Sequence, residues 1–373
     1  MPERRSPLRT VLAVIAWLFG AAIAYGALTT IAPDALTPPL AEAGTSTAFP
    51  YAQVVDFPVL LGGGLALVGL VFLFVGIWRL RAGGTAAALV AGLACLVAGG
   101  VHLYRGFDAG LASPPRVAAE EVSPQPATPP EGDAAPEEET APASPLSELT
   151  ITQLNVADDT EVHDALVRDL VRAQPDVIVI AEAGPGYGQA LADRLAAREA
   201  GTFTVNESTA SLVVLTSADT TTLAPAPVRS LDTATNRTRI TQGGSLVLTD
   251  GAGTKIYAAA VAPRDRADMR PYQLDISGLA GACEHNNLII AGDLRASMNA
   301  GPLARSGCTD VATELGYGGF GTWPAGAPGW LGASRSHVLL GPAPPQGAWK
   351  PEHIAYFNIP RSNHRGLVVT LTR

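Results

Sequence analysis

Cysteine is scarce. Three residues in a chain of 373 are too few for a disulfide-stapled scaffold or for a four-cysteine zinc site. Charge is scarce too. Only 16% of residues are Asp, Glu, Lys or Arg, and the formal balance is −9, which argues against a nucleic-acid binder working through a broad basic surface. No internal repeat of the length that builds solenoids or propellers is visible. Glycine and proline are abundant instead, with 39 and 30 residues, more than one compact domain normally carries. The composition is also uneven along the chain, and three regions read as three different materials.

The first region, residues 1–107, reads as all-α and membrane-spanning. Residues 10–31 carry no charge, and a run of that length crosses roughly 30 Å of hydrocarbon at about 1.5 Å per residue. Similar runs cover about 57–78 and 85–104. A lone first run would suit a signal peptide, but two further spans follow it. Gly62, Gly63, Gly64, Gly92 and Gly99 would let helices approach closely. Asp56 and Pro58 sit at one end of the second run, where a charge can still reach water. Arg4, Arg5, Arg9, Arg79 and Arg81 flank the runs on one side, and residues 32–53 contain no Lys or Arg. The positive-inside rule then makes the N-terminus cytoplasmic. Three crossings place everything after Tyr104 outside, as expected for a multi-pass protein of the cell membrane with an extracytoplasmic C-terminal domain.

Residues 108–148 form a linker rich in Pro, Ala and Glu. Such a stretch buries too little apolar surface to offset its ordering entropy, and its prolines keep it extended. The expectation is a disordered spacer that holds the last domain off the bilayer.

Residues 149–373 read as an α/β domain. Leu149 to Asn155 alternates as a strand does. Val162, Leu166, Leu170 and Val171 fall on one helical face, and Pro175 ends that helix. Strands are further expected at about 176–180, 211–216, 245–248, 255–261, 287–291, 336–340 and 367–371. Many strands with few helices suggest two sheets packed face to face with helices outside. Asn155, Glu182 and Asp293 each stand at the end of a strand, while His337 begins one and His364 precedes another. Loops at strand ends are where a rigid scaffold presents chemistry. An Asn, a Glu, an Asp and a His brought together there would suit a hard divalent cation and a phosphate.

The order of LTITQLNV, QPDVIVIAE, LIIAGDLRA, GTWP with RSHVLL, and RSNHRGLVV resembles the endonuclease/exonuclease/phosphatase superfamily, which includes deoxyribonucleases, apurinic endonucleases and sphingomyelinases. The resemblance implies a four-layer α/β sandwich that hydrolyses phosphoesters with Mg²⁺ or Mn²⁺. Glu182 would be the metal ligand and Asn155 a contact to metal or phosphate. Asp293 would align the attacking water, and His364 would bind or protonate the phosphoryl group.

Several positions depart from the family pattern. Arg295 stands where the family's GDxN motif has Asn. Ser336-His337 lacks the Asp of an Asp-His pair. Asn363 replaces the last Asp before His364, and Ala260, Val261 and Ala262 occupy a region where a mid-domain His is usual. Asn363 carries no charge for a metal, and Ser336 cannot hold an imidazolium as a carboxylate would. Arg295 repels Mg²⁺ but attracts phosphate, so Arg295, Asn363 and His337 become candidate phosphate contacts, and an alternative reading joins Arg361 and Arg365 to Arg295 in an anion pocket. Three readings stay open: a metal-dependent phosphoester hydrolase or a weakened relative, a catalytically inactive module binding phosphate-bearing small molecules, lipid headgroups or partner proteins, and a scaffold. Nucleic acid is not favoured, since the domain mixes basic and acidic residues. Cys283 and Cys308 flank the GDLR strand and are a candidate disulfide in an oxidising space. Cys95 lies inside the third span.

Overall fold

The computed structural model describes residues 7–37, 44–82, 84–117, 146–208, 211–218, 223–231, 241, 243–250, 253–342 and 348–373. Three helices are long and apolar enough to cross a membrane: α1 (Pro7–Thr29), α4 (Pro58–Arg81) and α5 (Ala87–Asp108). Between α1 and α4 lie two one-turn helices, α2 (Pro33–Leu36) and α3 (Tyr51–Val54). Pro58 opens α4 at the position where a missing N–H costs nothing. Glycine sets the spacing of α4 and α5. A Cβ at Gly62 would lie 2.8 Å from the Gly99 carbonyl, and one at Gly92 would lie 2.9 Å from the Gly69 carbonyl, so the two backbones touch as small residues allow in membranes. Gly63 and Gly64 face open space and play no part in that seam.

The C-terminal domain holds two six-stranded sheets. The first comprises β1 (Glu148–Asn155), β2 (Val177–Ala181), β3 (Phe203–Glu207), β4 (Val213–Ser217), β11 (Lys350–Asn358) and β12 (Arg365–Thr372), in the order β11-β12-β1-β2-β4-β3. The second comprises β5 (Ala224–Ala226), β6 (Ser245–Thr249), β7 (Lys255–Ala260), β8 (Leu288–Asp293), β9 (Thr309–Asp310) and β10 (Ser336–Leu340), in the order β5-β6-β7-β8-β10-β9. Each sheet has one parallel pair at its centre, β1 with β2 and β7 with β8. All other pairings are antiparallel.

Strand alternation sorts the apolar residues into layers. Ile151, Val177, Val179, Ile289, Ala291 and Val338 meet between the sheets. Leu154, Ile178 and Ile180 face outward, beneath α6 (Asp164–Ala173) and α7 (Tyr187–Ala196). Tyr257, Leu288 and Ile290 face α8 (Arg270–Ala282) on the far side. Two sheets flanked by helices make the four-layer sandwich expected. Two further one-turn helices, α9 (Gly301–Ala304) and α10 (Val311–Glu314), lie in the segment between β8 and β10. Cys283 and Cys308 are joined, their Cα atoms 5.1 Å apart, and the bridge encloses β8. Cys95 is buried against Ala27 and Ala98.

The edge strands β3, β5, β9 and β11 and the helices α7 and α8 were not among the expected elements. β11 carries a register shift between Pro351 and His353, which breaks the period-two pattern a sequence reading relies on.

The spacer reading needs two corrections. Residues 109–117 run along the domain: the Tyr356 amide donates to the Pro115 carbonyl at 2.9 Å, the Val117 amide to the Tyr356 carbonyl at 3.1 Å, and the Gly319 amide to the Gly110 carbonyl at 2.9 Å. The remainder, 118–145, lies outside the described residues. Nor is the domain held clear of the helix ends. It seats on the segment between α1 and α4: the Gly301 amide donates to Ser46 Oγ at 2.8 Å and Arg305 Nη1 to Asp34 Oδ2 at 2.8 Å. Asp56, at the end of the second run, makes no use of the water available to such a position. It is buried, accepting from Arg264 Nη2 at 2.5 Å and from the Ser297 amide at 2.9 Å.

Candidate functional site

The ends of the two central parallel pairs meet at one rim of the sandwich. β1 ends at Asn155, β2 delivers Glu182 and β8 ends at Asp293. Two backbone turns aim side chains into this rim. Glu182 has φ +52° and Arg295 has φ +48°, a left-handed conformation that costs a non-glycine residue roughly 1–2 kcal/mol. Such strain persists where the surroundings over-determine it.

Asn155 is the hub. Its Nδ2 donates to Glu182 Oε1 at 2.9 Å and to Asp293 Oδ2 at 2.5 Å, while its Oδ1 accepts from the Ala157 amide at 2.9 Å. Asp293 Oδ1 accepts from the Arg295 amide at 3.0 Å. The Arg295 guanidinium bonds Glu182 Oε1 directly. The loop before β12 is hooked to the end of β1 by Ser362 Oγ, which donates to the Asn155 carbonyl at 2.7 Å and accepts from the His364 amide at 3.1 Å. This brings His364 Nδ1 to 3.8 Å from Asp293 Oδ2. Asn155, Glu182, Asp293, Arg295 and His364 therefore converge.

The substituted positions leave visible gaps. Ser336 pairs with Asp293 in the β8–β10 register, yet its buried hydroxyl has no hydrogen-bond partner, and neither has His364 Nδ1. A carboxylate at 336 would have length and charge that the hydroxyl lacks. Burial lowers the His364 pKa below the ordinary 6.5, with Arg335 and Arg295 adding to the effect and Asp293 and Glu182 opposing it. His364 is thus a neutral imidazole at neutral pH. Protonation favours the unfolded chain, so the contribution of this group to stability is complete above about pH 6.5 and is lost as the pH falls towards the lower folded value. Histidine NMR of the protein in detergent should show His364 titrating below an exposed histidine. A midpoint above 6.5 would contradict this account.

His337 is not brought to the rim. It neighbours Ser336 on a strand and so points to the opposite face. There it is buried, with Nδ1 3.0 Å from Asp310 Oδ1 and Nε2 2.9 Å from the Ala296 carbonyl. Arg361 and Arg365 do not join Arg295 either. Arg361 is exposed and pairs with Glu161 at 2.9 Å. Arg365 is buried and donates to the carbonyls of Gly321, Ala325 and Ala327, bracing a loop. Asn363 is exposed beside the rim, its own carbonyl accepting from the Ala325 amide at 2.8 Å.

The side chains as arranged do not fit a divalent cation. Mg²⁺ or Mn²⁺ needs several available oxygens. Glu182 Oε1 instead takes two donors, one of them a guanidinium, and Asn155 presents an N–H to the site rather than an oxygen. Among the described residues no group of three or more His, Cys, Asp or Glu is placed to hold a metal.

The sequence reading missed Arg264, Arg266 and Arg335, whose side chains line a cleft together with Arg295. Positions 260–262 hold no acid or histidine, and the next side chain along the strand's extension that lines the cleft and carries a charge is Arg264. A search for basic residues within four positions of a strand end would have found Arg264 after β7 and Arg335 before β10.

No protein-family model matches the sequence, and no curated protein matches it. Solved structures similar to it include a humanized D. rerio TDP2 (19% identity, 61% of this chain and 100% of that chain, TM-score 0.44). Others are an AP endonuclease from Archaeoglobus fulgidus (15% identity, 59% and 98%, TM-score 0.41) and the 3′ phosphatase NExo from Neisseria (16% identity, 59% and 98%, TM-score 0.41). At such identities the chemistry has to be read from this chain's own side chains.

Proposed function

We propose that residues 149–373 are an endonuclease/exonuclease/phosphatase-type module that binds a phosphate-bearing ligand without a resident metal, the Arg295 guanidinium taking the place of the cation on Glu182. The module is carried outside the cell by residues 1–107, which cross the membrane three times from a cytoplasmic N-terminus. The observation that carries this reading is the direct Arg295–Glu182 contact. Guanidinium groups bind phosphate oxygens in pairs, and this one stands at the rim where Asn155, Asp293 and His364 also point. Catalysis is poorly supported by the same arrangement. Asp293 is already engaged by Asn155 and by the Arg295 amide, and its carboxylate lies too far from the neutral His364, at 3.8 Å, to hydrogen-bond and orient the Nδ1.

The second reading is a phosphoester hydrolase dependent on Mg²⁺ or Mn²⁺. It is favoured by the convergence of Asn155, Glu182, Asp293 and His364. One assay separates the two. The full chain in detergent is given bis-p-nitrophenyl phosphate with Mg²⁺, Mn²⁺ or chelator, beside a Glu182→Ala variant, and binding of inorganic phosphate is measured in parallel. We expect no metal-dependent turnover, and phosphate binding weakened about tenfold or more by Arg295→Ala, the size of one charge-assisted contact. Metal-dependent turnover abolished in Glu182→Ala would establish the hydrolase instead.

A further inference from the structure

A cleft of about 410 Å³ opens beside Arg295 and is lined by four arginines, 264, 266, 295 and 335. Its size is that of a site for a small ligand or headgroup. Gln53 and Phe57, which belong to the segment between α1 and α4, line it as well. Phe57 immediately precedes Pro58, the first residue of α4. The cleft therefore lies between the rim of the sandwich and the end of a helix apolar enough to cross a membrane.

The charges in this cleft are not balanced. Arg264 is paired with Asp56 and Arg295 with Glu182. Arg266 and Arg335 have no ion pair with a carboxylate among the described residues. Arg335 lies on the face of Trp323, 3.8 Å from the ring centroid, and its buried Nε has no hydrogen-bond partner. Arg266 lies 5.5 Å from the centroid of Phe49. Burial and then the Arg264 guanidinium hold Arg335 below its ordinary pKa, against the opposing pull of Asp56 and Asp293. Aromatic stacking orients these two guanidiniums and leaves their hydrogen-bonding edges to a ligand.

The position of the cleft selects among anions. The end of an apolar span marks the depth at which lipid phosphates lie. Two aromatic features of the domain accompany α4. Phe57 and Trp323 pack with ring centroids 6.2 Å apart, and Trp330, 47% exposed, sits on the short turn Gly329–Leu331 that lies against α4. Tryptophan favours the membrane–water interface. A soluble phosphate would satisfy the arginines equally, but it would gain nothing from a wall made by the membrane segment.

We infer that this cleft takes the phosphate of a membrane lipid, held between Arg335 and Arg266 on one side and Arg295 at the rim, with the acyl chains passing beside Phe57 along the spans. The inference rests on the phosphate-binding reading above and narrows its ligand to one in the bilayer.

The full chain in detergent, titrated with phosphatidic acid, glycerol 3-phosphate and inorganic phosphate, tests it by native mass spectrometry. Phosphatidic acid is expected to be retained more tightly than either soluble anion. Arg335→Gln is expected to weaken that retention about tenfold or more, as for a charge-assisted contact. Arg266→Gln, at an exposed residue, should do likewise and serves if Arg335→Gln does not fold. Glycerol 3-phosphate or inorganic phosphate binding as tightly as phosphatidic acid would overturn the lipid assignment and leave the phosphate site standing. Phosphatidic acid retained equally by the wild type and both variants would overturn the cleft as its location. No binding of any of the three would overturn both this inference and the reading beneath it.

Discussion

Arg264→Ala is expected to destabilise the seating of the domain on the helix ends by about 3–5 kcal/mol, the cost of leaving one partner of a buried ion pair uncompensated. The Asp56 side chain is 0% exposed and that of Arg264 8% exposed. After the substitution Asp56 keeps the Ser297 amide as a donor, which is insufficient for a buried carboxylate. Two further contacts go with the guanidinium: its bond to the Ala52 carbonyl and its stacking on Tyr272, 4.9 Å from the ring centroid. A thermal melt in detergent and protease sensitivity at the junction should both register the change. The double variant Asp56→Ala/Arg264→Ala should be less damaged than Arg264→Ala alone, because no uncompensated charge remains. If Arg264→Ala melts within about 0.5 kcal/mol of wild type, the ordinary range for an uninvolved surface position, this pair does not hold the domain in place.

Arg295→Asn combined with Ser336→Asp is expected to create a divalent-cation site. The first change lifts a positive charge off Glu182, and the second puts a carboxylate opposite Asp293, which itself lies 3.8 Å from His364. A unit charge at about 4 Å in partly screened surroundings is worth up to about 4 kcal/mol. Even half of that raises affinity more than tenfold, so Mn²⁺ binding followed by paramagnetic resonance should tighten on the order of 10²-fold. His364 should respond as well, since a carboxylate beside its Nδ1 raises the pKa that burial now lowers. A double variant that holds Mn²⁺ no better than the wild type would show that the cation is excluded by something other than Arg295 and Ser336.

The architecture was largely legible because its signals are local. The alternation in Leu149–Asn155 and the apolar run at 177–181 each identify a strand without reference to anything distant. The rim residues were legible for a similar reason: Asn155, Glu182 and Asp293 stand at strand ends, and parallel strands at the sheet centres bring those ends together. Partnerships set by tertiary packing were not legible. Nothing near Asp56 in the chain announces Arg264, 208 residues away. Nothing in Arg-Ser-His distinguishes Arg335, which lines the cleft, from His337, which is sealed in the interior against Asp310. Arg361 and Arg365 looked equivalent to Arg295 by proximity to motifs, yet one pairs with Glu161 and the other, at the start of β12, lies under a loop. Arg295 itself was recognised as a departure, but its contact with Glu182 depends on left-handed backbone at both residues.

The bridge between Cys283 and Cys308, at a sequence separation of 25, closes a loop that contains Asp293 and Arg295. Material made in a host compartment where thiols stay reduced would carry both of these groups on a segment lacking that tether. Ligand measurements on such material would report the open-loop form of the protein, so a comparison of oxidised and reduced preparations belongs ahead of any screen for what the rim binds.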